Sequence, residues 1–308
     1  MKETKIIEQL LRQCPSNASI KLGIGDDSAV LHAPSRDPLV CADMLMEGVH
    51  FLIDSPAVEK IGHKALAVNL SDIAAMGGEA LSAYICLALP RSRAEPQFLE
   101  RLYQGFGELA RKFDVAIAGG DTNIWQGPLV ISVTVIGQVH RKGAITRHGA
   151  QVGDVIMVTG KLGGSLDGHH LSFTPRLAEA KALMDHLKLH SMIDLSDGLG
   201  KDLREICQQS GVAACLDPAH IPLRDNVSSL PRQEALQKAL KDGEDFELCF
   251  TLSESEASKC SEDSNLPHCY PIGRIIAGQG LYWGKGQTIQ EVIQSYGYEH
   301  QSEGEISP

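Results

Sequence analysis

Aromatic residues are scarce: two Trp, six Tyr and seven Phe make up 5% of 308 residues. Val, Ile, Leu and Ala must therefore build the core. Basic residues are also in the minority, 28 Lys and Arg against 39 Asp and Glu, for a formal net charge of -11. That excludes a broad basic surface for nucleic acid. A polyanionic small molecule could be held only with metal ions or a local basic pocket. No apolar run is long enough to cross a bilayer; "AYICLAL" is among the longest. The opening "MKETKIIEQLLRQC" lacks a signal-peptide core and reads instead as an amphipathic helix. None of the eight cysteines forms a C-x-x-C pair, which points to reduced thiols in the cytoplasm rather than a disulfide framework. There is no G-x-x-x-x-G-K-[ST] loop, and no G-x-G-x-x-G opens a helix.

What is present is length for two domains, a 43% hydrophobic content and 30 glycines clustered at turns. "EKIGHKALAVNLSDIAAMGG" reads as a helix stopped by Gly77 and Gly78. "LSAYICLAL" reads as a buried strand. Phe98, Leu102, Phe106, Leu109 and Phe113 recur at helical spacing. "PLVISVTVIGQV" alternates, with Ser132 and Thr134 on one face and Ile131, Val133 and Val135 on the other. The polar stretch at residues 138–153 reads as a link, giving domains 1–140 and 141–308. Beyond it, Thr174-Pro175 predicts the start of a helix through "RLAEAKALMDHLKLH", and "SMIDLSDGLGKDLREICQQSG" predicts strand, turn and helix. The polar tail "QSEGEISP" reads as disordered. Both halves mix strands with long helices, so each is α/β or α+β.

Acidic residues recur at one kind of place. "GIGDDSAVL" sets Asp26 and Asp27 side by side; Asp43 ends "LVCAD"; Asp121 follows the glycine pair in "AGGDTN". Asp194 and Asp197 lie in "IDLSDG", and Glu244 and Asp245 in "DGEDFEL". Asp72 sits in a helix. Most of these are expected where an apolar strand runs out into a glycine-containing turn, and such loops share one edge of an α/β sheet. Acids converging there require cations. Oxygen-only ligands suit Mg²⁺, which completes its shell with water and phosphate oxygens, so a nucleotide triphosphate is expected. Each acid alone has a plainer explanation as a turn or cap residue, Asp197 before Gly198 above all. His186 and His190 lie four apart on an expected helix, where a solvated face competes with a metal pair. Lys64 is expected to support a phosphate or to pair with a surface acid.

In order along nearly the whole chain, "GIGDDSAVL", "HKALAVNLSDIAAMGG", "GGDT", "ITRHGAQVGDVIMVTG", "IDLSDGL", "GEDFELCFT" and "GYEH" resemble the thiamine-monophosphate kinase family of the aminoimidazole ribonucleotide synthetase-like superfamily. The resemblance implies an N-terminal α+β domain whose sheet pairs with its twin across a homodimer, and a C-terminal α/β sandwich. It implies transfer of phosphate from ATP to thiamine monophosphate by direct attack, with several Mg²⁺ and no phosphoenzyme. Carried over by position, Asp27, Asp43, Asp72, Asp121, Asp194 and Asp197 are metal ligands. Gly120, Asp121, Arg147 and Ser196 contact ATP; His50, Glu244 and Tyr298 contact substrate. Asp43, Asp121 and Arg147 are the catalytic set.

Two departures stand out. Cys41 and Ala42 replace the hydroxyl residues common before Asp43, and residues 163–176 are short where many members carry an extra helical stretch. Two other readings remain: a different superfamily enzyme using ATP on another small phosphorylated acceptor, and a noncatalytic dimer that binds nucleotide and Mg²⁺. "GIGDD" followed by "VNLSDIAAMG" and "GYEH" favours the thiamine branch.

Overall fold

The computed structural model describes residues 12–53, 57–285, 288–293 and 297. Most of the expected N-terminal helix, the polar tail and Tyr298 lie outside them. The chain divides into two compact units, one of residues Met1–Ala144 with Leu171–Asp185, the other of Ile145–His170 with His186–Pro308.

In the first unit a short hairpin, β1 (Ile20–Leu22) and β2 (Val30–Leu31), precedes β3 (Pro38–Met46). Helix α1 (Val58–Ala75) leads to β4 (Glu79–Pro90); helix α2 (Pro96–Lys112) leads to β5 (Ala116–Trp125) and β6 (Val130–Gln138). The sheet order is β3-β6-β4-β5, antiparallel except for the β4–β5 pair. α1 ends where its glycines predict. Gly77 takes φ +67, and the N–H groups of Gly77 and Gly78 return to Ala74 O and Ile73 O at 2.8 and 2.9 Å. α2 starts with Pro96 in its first turn and ends on Arg111 and Lys112, both favourable for the helix dipole.

The two helices cover one face of the sheet. Ile131, Val133 and Val135 are buried beneath them, while Ser132 and Thr134 are half-exposed on the other side, as the alternation requires. On that open face β3 presents Val40 at 66% and Met44 at 56% exposure. The helices meet at backbone contact through Gly62 and Gly105.

The second unit contains β7 (Val155–Val158), then β8 (Leu189–Asp194), α4 (Leu199–Ser210) and β9 (Ala213–Leu216). Between β7 and β8 the chain returns to the first unit as Leu171–Asp185, which holds nearly all of α3 (Leu177–His186). There His63 Nε2 donates to Phe173 O at 2.7 Å. Asp185 accepts from His140, Arg141 and Lys181 at 3.1, 2.8 and 2.6 Å. α5 (Asp225–Ser228), α6 (Arg232–Lys241), β10 (Leu248–Leu252), α7 (Glu254–Glu262), β11 (Tyr270–Ile276), β12 (Gly280–Lys285) and β13 (Thr288–Val292) complete the second unit. Its seven strands run in the order β13-β12-β9-β11-β7-β10-β8. One core joins Leu199, Leu203, Ile206 and Cys207 of α4 and Leu240 of α6 to Ile156, Ile193 and Ile275 of the sheet. All eight cysteines are free.

Several local expectations fail. β3 continues through Asp43 to Met46, and β5 through Asp121 to Trp125, so neither acid sits in a turn. Nine residues of each strand are paired with a neighbour, and that ladder outweighs local turn chemistry. α3 ends at His186, and His190 belongs to β8, so the two histidines do not share a helix. They serve separate contacts, His186 with Asp263 at 3.4 Å and His190 with Asp154 at 2.8 Å.

Candidate active site

In the first unit the acids follow from strand and helix register. Asp43 alternates with Cys41 and Leu45 on the helix-covered face of β3, opposite Val133. α1 brings Asn69 and Asp72 to it. Asn69 Oδ1 accepts the Asp43 N–H at 3.2 Å, and Cys41 Sγ donates to Asn69 O at 3.3 Å. The Asp72 side chain comes within hydrogen-bonding reach of the Asp43 carboxyl. Burial pushes the Asp43 carboxyl above its ordinary range, while the Asp72 bond and nearby His50 pull it back. A cation between these carboxylates would offset the repulsion between them.

The turn after β3 presents His50. Its Nδ1 accepts the Met46 N–H at 3.0 Å, so the neutral ring carries its proton on Nε2. Lys64 is neither a surface partner nor exposed for phosphate. It is 1% exposed, with Nζ donating to His50 O at 2.6 Å, so it braces this turn.

Asp27 and Asp26 divide their labour. Asp26 Oδ1 accepts the Asp27 N–H at 2.9 Å, closing the turn, and the exposed Asp27 carboxylate projects from it. Gly120 has φ +149, and a Cβ there would lie 1.8 Å from Ile85 O, so only glycine fits. Asp121 is paired with Cys86 and exposed; its oxygens accept from Thr122 N and Asn123 Nδ2 at 2.8 and 2.7 Å. β3 and β5 are opposite edges of the sheet. By alternation Asp121 shares the open face with Cys86 and Ser132, whereas Asp43 faces α1. A single copy of the chain therefore does not bring Asp43 and Asp121 together.

In the second unit two loops zip against each other at the ends of β8 and β10. Asp194 pairs with Leu248. Leu195 N–H donates to Glu247 O, Phe246 N–H to Leu195 O and Glu244 N–H to Ser196 O, at 2.8, 2.8 and 2.7 Å. Asp194 is buried. Asp197 does not cap α4: Gly198 is the N-cap residue without a side-chain bond, and Asp197 pairs with Lys201 at 2.7 Å. Asp202 Oδ2 accepts the Asp197 N–H at 3.0 Å. Burial, then the charges of Asp194 and Asp197, push the Asp202 carboxyl well above its ordinary range. Gly297, which opens "GYEH", packs onto this loop; a Cβ there would lie 2.4 Å from Asp197 O.

Arg147 is exposed, on a segment running beside β8, where Met192 N–H donates to Thr146 O at 3.0 Å. Its guanidinium makes no hydrogen bond or ion pair among the described residues.

Among the described residues no three His, Cys, Asp or Glu side chains come together as a metal-holding group. The expected convergence is limited to the Asp43–Asp72 pair and the electrostatically coupled Asp194, Asp197 and Asp202. Such small sets suit Mg²⁺, which takes one or two carboxylates and leaves places for phosphate and water. The sequence reasoning missed Asp202. Its place three residues after Leu199, on the apolar helical stripe that continues through Leu203 and Ile206, is the signal that finds it. It also missed Asn69, for which no local signal exists.

Residues 25–139 match the family "AIR synthase related protein, N-terminal domain", and residues 151–284 its C-terminal counterpart. In both halves, then, this is an AIR synthase-related chain. A thiamine-monophosphate kinase of Rhodopirellula baltica is 37% identical over 301 residues, covering 94% of this chain and 93% of its own. The crystal structure of a thiamine-monophosphate kinase from Stenotrophomonas maltophilia K279a is 36% identical, with TM-score 0.78 and 92% and 96% coverage. AaThiL complexed with AMPPCP and TMP is 29% identical, with TM-score 0.72 and 94% coverage of both chains. The chain belongs to the thiamine-monophosphate kinase family.

Proposed function

We propose that this protein transfers the γ-phosphoryl group of ATP to thiamine monophosphate, giving thiamine diphosphate and ADP. The observation that carries the reading is likeness along almost the whole chain to thiamine-monophosphate kinases. AaThiL, complexed with AMPPCP and TMP, supports the choice of both substrates.

Phosphoryl transfer asks a protein for positioning and charge neutralisation more than for a covalent group. Asp27, Asp43, Asp72, Asp121, Asp194 and Asp197 would hold Mg²⁺, which screens the two anionic reactants from each other. Asp43 and Asp72, brought side by side, would share one cation, which would offset the repulsion between their carboxylates. Arg147, whose guanidinium has no bond among the described residues, grips an ATP phosphate through a planar fork. Gly120 lets the β5 backbone lie close against β4 beside ATP, and Ser196 stands at the loop before α4. His50 offers its Nε2 proton to the thiamine phosphate. Glu244 faces the same substrate, and Tyr298, outside the described residues, is assigned to it by motif alone. Transfer is direct, since Ser28, Ser71 and Ser196 lie beside acids committed to metal and no nucleophile–base pair stands out.

The protein acts in the cytoplasm as a homodimer built through the first unit. The apolar open face with Val40 and Met44 supports this, and a dimer also supplies a second copy of Asp121 and Asp43. Sedimentation showing a monomer at micromolar concentration rejects the dimer. ADP release is measured with ATP and Mg²⁺, with and without thiamine monophosphate. Dependence on thiamine monophosphate is expected. Release that needs a different acceptor, or no release, rejects the function.

A further inference from the structure

Asp245 has no part in the mechanism above, yet it is one of the most deeply buried acidic residues in the chain, at 0% exposure. Arg224, just before α5, reaches it with Nη2 and Nε at 3.0 and 3.3 Å from Oδ1. The same Nη2 lies 3.4 Å from the Asp245 carbonyl oxygen. The Gly163 N–H donates to both carboxylate oxygens at 3.1 and 3.2 Å. His169 Nε2 donates to the Asp245 carbonyl at 3.2 Å. Three separate segments therefore end on this one residue.

Its neighbours in sequence are unusual. Glu244 has φ +53 and Phe246 φ +50, and they are two of only three non-glycine residues with positive φ among the described residues. Left-handed backbone is costly for side chains of this size, and it persists only where surrounding contacts over-determine it. Asp245 lies between the two. The next acid, Glu247, is also buried and accepts from Thr159 Oγ1 at 2.7 Å, which anchors the loop's far end beside β7. Burial pushes the Asp245 carboxyl up to about 7; Arg224 and the Gly163 N–H act in the opposite sense, and Glu247 in the same.

We infer that Arg224 and Asp245 are a positioning pair, holding the turn at residues 243–247 in the left-handed form that aims Glu244 at the cationic thiamine moiety of the substrate. This rests on the reading of Glu244 as a substrate contact. The pair itself touches neither ATP nor thiamine. It acts through the backbone, so its loss is felt in one substrate and not in the other. A merely structural role would lower the melting temperature without separating the two.

The test is steady-state kinetics of wild type, E244Q, D245N, R224M and R224K, with Mg²⁺ saturating and each substrate varied in turn, alongside thermal unfolding. D245N and R224M are expected to lower kcat/KM for thiamine monophosphate about tenfold or more, the scale of a misplaced contact group, with KM for ATP unchanged within about twofold. E244Q should share that pattern. R224K, which keeps the charge but not the planar fork, should recover part of the loss. Should D245N not fold, R224K and R224M carry the test from the other side of the pair. Equal effects on both substrates, or no effect in folded variants that unfold earlier, overturn the positioning role. Wild type without thiamine-monophosphate-dependent ADP release overturns the function itself. An active wild type whose E244Q variant is kinetically normal overturns the substrate role of Glu244, and this inference with it.

Discussion

Gly105→Ala in α2 opposes two physical effects of opposite sign. A glycine inside a helix costs about 1 kcal/mol relative to alanine, so propensity alone predicts stabilisation. The structure predicts the reverse. A Cβ on Gly105 would lie 1.8 Å from Glu59 O and 2.9 Å from His63 N, both backbone atoms of α1. No rotamer change relieves a clash with backbone, so the helices must part by about 1.5 Å to restore an ordinary contact. The reciprocal approach at Gly62, whose Cβ would lie 2.1 Å from Leu102 O, allows no compensating slide. Parting loosens Ile61, Leu66, Leu102 and Phe106, all fully buried. Overpacking of this kind costs about 1–3 kcal/mol, and the lost contacts add to it, so the net loss should be about 2 kcal/mol after the propensity gain. For a unit of this size that lowers the melting temperature by roughly 4–8 °C. Calorimetry of G105A beside Q104A, one residue earlier on the exposed face, makes the comparison internal. Q104A should stay within about 0.5 kcal/mol of wild type. Because α1 also delivers Asn69 and Asp72 to Asp43, G105A should need more Mg²⁺ for half-maximal turnover. A melting temperature equal to or above wild type refutes the close approach as the deciding effect.

Asp121→Asn keeps size and removes charge at an exposed position. Turnover should fall by about two orders of magnitude, with melting temperature in EDTA unchanged, since surface substitutions rarely exceed about 0.5 kcal/mol; intact kinetics or a large loss of fold stability contradicts the metal role. Arg147→Lys retains charge but loses the fork, so KM for ATP should rise about tenfold with little change for thiamine monophosphate, checked by initial rates in each substrate. The Asp245 carboxyl, faced by Arg224, Glu247 and the Gly163 N–H, is raised from 3.8 to about 7 in the folded chain. A raised carboxyl contributes fully below about pH 4 and less as pH rises through about 7, with a slope of at most about 1.4 kcal/mol per pH unit. Urea unfolding from about pH 4.5 to about pH 8 should show D245N gaining on wild type up to about pH 7 and running parallel above it; parallel curves throughout reject the shift.

Where a chemical reason was local, the sequence announced the structure. Gly77 and Gly78 end α1 because only a left-handed residue closes that cap, and the Ser132–Thr134 alternation of β6 implies a sheet with one covered face. The strand ends were illegible for a different reason. Gly119-Gly120 looks like a turn, yet it serves to bring β5 against Ile85 O, and pairing with β4 carries the strand on past Asp121. The Asp43–Asp72 contact joins a strand to a helix through tertiary packing, which no window of sequence encodes. The same holds for the zipper between Leu195–Ser196 and Glu244–Glu247. Asp202 was legible in principle, since a carboxylate on an apolar helical stripe signals a buried partner. The burial of Lys64 is illegible because its neighbours in "GHKALAV" do not reveal that every side of α1 is covered there.

The return of Leu171–Asp185 to the first unit bears on how the chain can be cut and how it is made. No continuous stretch of polypeptide contains the first unit without also containing β7 and the glycine turns at Gly163 and Gly164. A fragment ending at residue 144 would lack the α3 face whose Met184 fills the space beside Gly77, and would leave His140 without Asp185. On the ribosome, the first unit stays unfinished until residue 185 has emerged, by which time the opening strand of the second unit is already out. The two units therefore mature as an interleaved pair rather than in N-to-C succession, and a circular permutant opened within residues 145–170 would report directly on that order.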